Sequence, residues 1–172
     1  MSTRDEPVHR HQLDTKTPDD AHDPAIHEQI RALLDDQPFA VLCTQGRGQP
    51  YGSVVAFAVS KDLSAVTFAT PVATWKYRLL SECDRVALVI DSRGRFPDDM
   101  MKVEAITATG RAVQLDPGLE FDRWADLLAT RHPQLKRFVA SSSSALFRID
   151  IQRYLHVTRF QETHEWIPAS NG

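Results

Sequence analysis

The residues best suited to chemistry lie within 65–92, AVTFATPVATWKYRLLSECDRVALVIDS. Thr70 and Thr74 bring hydroxyls and Lys76 brings an ammonium. Residues 65–70 are short, β-branched and aromatic, which predicts a buried strand ended by Pro71. From Thr74 a helical period begins, with Leu79 and Leu80 able to face inward while Lys76 and Arg78 stay near solvent. Residues 85–90 return as a second apolar strand. The first turn of such a helix has backbone N–H groups without intrahelical partners, and its dipole favours negative charge. Hydroxyls, one cation and a helix N-terminus together suit a phosphate. The same residues also read as a capped surface helix with a chance lysine, and local chemistry leaves both readings open.

The elements that must position this turn follow from the pattern on either side. Asp23-Pro24 is a helix start, an N-cap followed by proline at the first helical position. Ile26, Ile30, Leu33 and Leu34 then form one apolar stripe. Residues 39–44 predict a strand, Gly46-Arg47-Gly48 a turn, and residues 50–60 a longer strand. In that strand Tyr51, Val55, Phe57 and Val59 are large, whereas Gly52, Ala56 and Ala58 are small. One face packs a core; the other admits either something flat against the backbone or a closely packed neighbouring element. Residues 61–64 connect to the strand before Pro71. After Ile90 comes a polar loop, then a strand over 102–115 in which Gly110 marks a bulge or bend. Residues 119–130 predict a helix with Phe121, Trp124, Ala125 and Leu128 on one face, and Pro133 begins a short one. Two last strands are expected at 145–151 and 154–160, and the segment from Gln161 has no strong period.

This pattern predicts a mainly β domain over 23–161, an antiparallel barrel of six or seven strands with appended helices. A doubly wound α/β sheet would need a helix after nearly every strand, and 39–70 holds none. Residues 1–22 are polar and aperiodic and read as a flexible tail; residues 162–172 read as a C-terminal extension.

The chain of 172 residues, 42% hydrophobic, is long enough for one real core. No apolar run approaches the ~20 residues of a membrane span, and the N-terminus lacks the apolar centre of a signal peptide, so no membrane partner and a cytoplasmic location are expected. A net charge of −3 without a basic block argues against a nucleic-acid partner. Two cysteines, Cys43 and Cys83, fit neither a disulfide framework nor a zinc pattern. His9, His11, His22 and His27 repeat no ligand spacing, so no metal is expected.

Taken in order, GSVVAF, TPVATWKYRLL, RVALVIDSR and TATGRA resemble the FMN-binding split β-barrel proteins of the pyridoxamine 5′-phosphate oxidase-like superfamily. The resemblance covers about residues 26–160. It implies a six-stranded antiparallel Greek-key split β-barrel that forms a homodimer, with two FMN molecules at the subunit interface. By that resemblance, Thr70, Thr74, Trp75 and Lys76 lie around the FMN phosphate. Ser53, Val54, Val55 and Ala56 run beside the isoalloxazine ring, and Ser92 and Arg93 reach its ring or phosphate end. Trp75 stands where the oxidase pattern commonly has an arginine. The oxidase's pyridoxal-phosphate-binding residues find no counterpart near the C-terminus, so a different small-molecule substrate or electron donor is expected.

Three functions compete at this point. The first is an FMN-dependent oxidoreductase in which the cofactor carries the chemistry and no side chain is nominated as catalytic. The second is a binding or storage protein for a flavin, a deazaflavin or haem, with His156 and His164 as candidate haem contacts. The third is a structural dimer with an empty cleft.

Overall fold

The computed structural model describes residues 23–158 and 162–169, so the predicted tail, with His9, His11 and His22, lies outside the described residues. Helix α1 (Pro24–Asp36) begins where the sequence places it, with the Asp23 carboxylate accepting the Ala25 N–H at 2.8 Å. Its stripe of Ile26, Ile30, Leu33 and Leu34 is buried in the main core.

Among the described residues eight strands follow, interrupted by three further α-helices. They are β1 (Phe39–Gly46), β2 (Gln49–Ala56), β3 (Ala58–Val59), β4 (Ala65–Pro71), β5 (Arg85–Asp91), β6 (Ala105–Gln114), β7 (Ser144–Thr158) and β8 (Glu162–Trp166). Helix α2 (Trp75–Glu82) lies between β4 and β5; α3 (Leu119–Arg131) and α4 (Lys136–Val139) lie between β6 and β7. The spatial order is β2-β1-β5-β6-β7-β4-β3, with β8 on β7, and every pairing is antiparallel. β2 and β3 stand at opposite ends of this path yet are joined only by the fully buried Phe57. The sheet must therefore curl until its two ends meet, and β2 contacts β4 across the seam. This is the expected antiparallel split barrel. β2 and β3 are the two halves of the strand expected over 50–60; counted together they leave six barrel strands, with β8 added outside them.

Three expectations change. The two strands expected at 145–151 and 154–160 are one 15-residue strand, β7, which pairs with β4, β6 and β8. A bulge between Thr109 and Gly110 breaks the alternation that would have revealed a single strand. Gly110 is required there, since a Cβ would sit 2.3 Å from the Asp150 carbonyl oxygen. The strand expected from 102 starts at Ala105, because Asp99 caps a 3₁₀ turn over Met100–Lys102. The aperiodic segment after Gln161 includes β8, whose Trp166 is buried and packs 5.8 Å from the Tyr154 ring. Five residues are too few to display a period.

A second apolar cluster, with Trp124, Leu128, Val139 and Leu146, lies beneath α3 and α4. Arg131 ties this layer to α1 by donating to the carbonyls of Leu34 at 2.5 Å and Gln37 at 2.7 Å.

Candidate functional site

β4 ends at Pro71 and α2 begins at Trp75, so Thr70, Thr74, Trp75 and Lys76 share one tight strand-to-helix turn. Thr74 is the N-cap: its hydroxyl accepts the Tyr77 N–H at 3.4 Å and donates to the Pro71 carbonyl at 2.8 Å. With that proton engaged, the 3.0 Å contact between the two threonine hydroxyls must run from Thr70 to Thr74. Thr70 is buried, so the hydroxyls shape the turn from within. The donors that remain at its surface are the N–H groups of Trp75 and Lys76, which helix geometry leaves without intrahelical partners.

Lys76 supplies the charge. It is half-buried, forms no ion pair among the described residues, and burial lowers its pKa. A partly desolvated cation without a counter-ion, beside the positive end of a helix dipole, is an environment that an anion improves. Trp75 is 53% exposed beside it. The turn is braced from the late insertion by the Val72 N–H donating to the Ser143 carbonyl at 2.9 Å. Residue patterning alone did not find this brace; the only trace of it is the run of serines at 141–144.

The strip Ser53, Val54, Val55 and Ala56 lies on β2, which pairs with β1 and ends the strand order. An end strand has one row of backbone N–H and C=O groups free of ladder bonds, alternating donors and acceptors that can meet the polar rim of a flat heterocycle. Val55 points inward and is buried, whereas Val54 is 65% exposed on the outward face. The Ser53 hydroxyl is buried and has no hydrogen-bond partner among the described residues.

Ser92 and Arg93 stand apart from the turn. Thr70 pairs with Ala145 at the start of β7, whereas Asp91 pairs with Ala105, whose partner Val157 is at its far end. Ser92 is buried and closes the loop before β6: its N–H donates to the Glu104 carbonyl at 3.0 Å and its hydroxyl accepts the Glu104 N–H at 2.9 Å. Arg93 is exposed, 3.2 Å from Asp91. His156 is fully buried, with Nε2 3.3 Å from Glu104, and faces His164 across the β7–β8 pair. Burial lowers its pKa despite the neighbouring carboxylate. A nitrogen so enclosed has no open side on which a porphyrin could lie, so His156 does not fit the haem-contact role considered from the sequence.

None of the ten residues nominated from the sequence lines any of three surface grooves of about 690, 730 and 710 Å³ among the described residues. Of the turn and the β2 strip, Trp75 and Val54 are exposed, while Thr70 and Val55 are buried. The residues fit a phosphate and a flat ring chemically: an uncompensated ammonium, free helix N–H groups, a free strand edge and an orphaned serine hydroxyl.

The family model for pyridoxamine 5′-phosphate oxidase matches residues 26–158. Among solved structures, a haem-binding protein from Mycobacterium smegmatis matches with a TM-score of 0.74 at 17% identity, over 84% of this chain and 58% of that one. The haem storage protein of Vibrio cholerae matches at 0.64 and 12% identity, over 82% of this chain and 93% of that one. An FAD-binding protein from Mesorhizobium loti matches at 0.61 and 16% identity, over 75% and 91%. The chain thus spans under two thirds of the Mycobacterium smegmatis protein and about nine tenths of the other two. At these identities the likeness is one of fold. No curated protein matches the chain in sequence.

Proposed function

Because this chain belongs to the pyridoxamine 5′-phosphate oxidase family, we propose that it is a flavoprotein that binds FMN between two copies of itself and serves as an oxidoreductase for a small molecule. The observation that carries this reading is Lys76, a half-buried ammonium without an ion pair among the described residues, at the capped N-terminus of α2. Lys76 and the N–H groups of Trp75 and Lys76 would hold the phosphate, and Thr70 and Thr74 would keep the turn in shape for it. The free edge of β2 at Ser53, Val54, Val55 and Ala56 would hold the ring. When bound, FMN supplies the hydride or electron chemistry; the protein supplies position and electrostatics. A deazaflavin offers the same phosphate and flat ring, so mass spectrometry of the ligand released on denaturation identifies which is bound.

The openness of the site supports the dimer. Val54 and Trp75 remain exposed in the single chain, and a row that is apolar but for Thr107 runs from Val54 through Val41, Val89 and Thr107 to Leu155, partly exposed along its length. A two-fold pairing over that row would bury it and wall the ring site.

The test is Lys76→Ala. A hydrogen bond to a charged group contributes roughly 1.5–3 kcal/mol, and about 1.4 kcal/mol is tenfold in affinity. FMN binding is expected to weaken by about ten- to a hundredfold, while riboflavin, which lacks the phosphate, keeps its affinity. Fluorescence titrations of both flavins decide it. Equal losses for the two, or no loss for FMN, would remove Lys76 from the phosphate site.

A further inference from the structure

The outward face of the barrel carries a second group of charged side chains that the flavin reading does not use. Read across the strands in register, Gly52, Cys43, Ala87 and Thr109 form a row of small residues beside the row from Val54 to Leu155. On its other side Arg85 and Arg111 stand directly opposite each other on β5 and β6. Small side chains between taller rows leave a trough, and a groove of about 690 Å³ runs there. That volume lies within the range of small-molecule pockets, roughly 300–1,000 Å³.

A third guanidinium reaches the groove through the bulge. Ile151 and Tyr154 are both buried, so the two residues between them, Gln152 and Arg153, share the outward side. Strict alternation over this stretch would turn one of them into the core. The extra residue opposite Gly110 prevents that and puts Arg153 across from Thr109, on the face that holds Arg85 and Arg111. Bulges re-aim side chains in this way beside functional surfaces.

Two of the three arginines are held by carboxylates. Arg111 lies 2.7 Å from Asp84, and Arg153 lies 3.3 Å from Glu165, whose side chain is nearly buried. Arg85 forms no ion pair among the described residues. Like charges placed directly opposite on neighbouring strands repel. An anion between them turns that repulsion into attraction, and guanidinium forks match the geometry of carboxylate and phosphate oxygens.

We propose that this groove is a second ligand site, for a small organic anion. Its carboxylate or phosphate sits among Arg85, Arg111 and Arg153, and its apolar body lies along Cys43, Ala87 and Pro50. The site shares no residue with the Thr70–Lys76 turn.

The experiment is calorimetric titration of the full-length protein at constant ionic strength with phenyl phosphate, benzoate and inorganic phosphate. Phenyl phosphate and benzoate test the two head groups on one body, and inorganic phosphate tests the head alone. At least one aromatic anion is expected to bind one per chain, with phenyl phosphate tighter than inorganic phosphate. Arg85→Gln, at an exposed position, is expected to weaken that binding at least tenfold, and Arg111→Gln to do the same. Lys76→Ala, which weakens the phosphate site proposed at the α2 turn, is expected to leave binding in the groove unchanged. The proposal is overturned if no probe saturates the wild type, if both arginine variants bind as the wild type does, or if Lys76→Ala abolishes binding.

Discussion

Two rows of side chains one residue apart on the same four strands meet opposite fates. Leu42, Leu88, Ala108 and Tyr154 align across β1, β5, β6 and β7 and are all at most 1% exposed. Val41, Val89, Thr107 and Leu155, one position along each strand, align just as well on the other face and stay partly exposed. Composition barely separates the rows; cover does. The inner row is enclosed by the curl of the sheet and by the stripe of α1, which joins the same core. α2 joins the same core through Leu80, and α3 and α4 pack over β3, β4 and β7. Apolar surface buried on one face therefore stabilises the fold of one chain, and on the other face it is available to a second copy or a ligand.

That contrast can be broken by substitutions at adjacent positions. The largest effect is expected inside. Leu88→Ala removes a fully buried side chain and should cost about 2–5 kcal/mol of unfolding free energy, measured by urea denaturation. A loss below about 1 kcal/mol would mean that the inner row is not closely packed.

A smaller effect is expected on acidification, also inside. Burial depresses the pKa of His156, so below the ordinary histidine value of 6.5 the unfolded chain takes up this proton more readily than the native one. The stabilisation is whole above that pH and is lost progressively as the pH falls below it. Urea midpoints should drop between pH 7.5 and pH 5, and His156→Gln should flatten part of that drop. An identical slope in the variant would assign the acid sensitivity elsewhere.

The smallest effect on the fold itself is expected outside. Val89→Asp should change the stability of the single chain by about 1 kcal/mol or less, because its side chain meets little of the core. Its consequence should appear in assembly: light scattering is expected to give twice the chain mass for the wild type and the single chain mass for the variant. A variant that stays dimeric would move the proposed interface off this row. One that unfolds as readily as Leu88→Ala would abolish the distinction between the faces.

Much of this molecule can be read locally. The α1 cap at Asp23-Pro24, the break at Pro71, the cap at Thr74 and the bulge at Gly110 each follow from the conformational limits of one or two residues, which act wherever the chain goes. The grouping of Thr70, Thr74, Trp75 and Lys76 was equally legible, because one short turn holds all four. Non-local pairing was not. That β7 is one strand, that residues 162–166 pair with it, and that Val72 is held by Ser143 depend on partners many residues away, which local periodicity does not encode. The same reason hid the roles of polar groups. The hydroxyls of Thr70 and Thr74 look like ligand donors in a sequence, but in the folded turn they bond each other and the Pro71 carbonyl. His156 looks like a candidate ligand, yet its position on the inner face encloses it. Residue identity and spacing determined the local starts and breaks at Asp23, Pro71, Thr74 and Gly110; tertiary structure decided which strands pair, which face is covered and which donors stay free, because burial and hydrogen-bond competition depend on every neighbour at once.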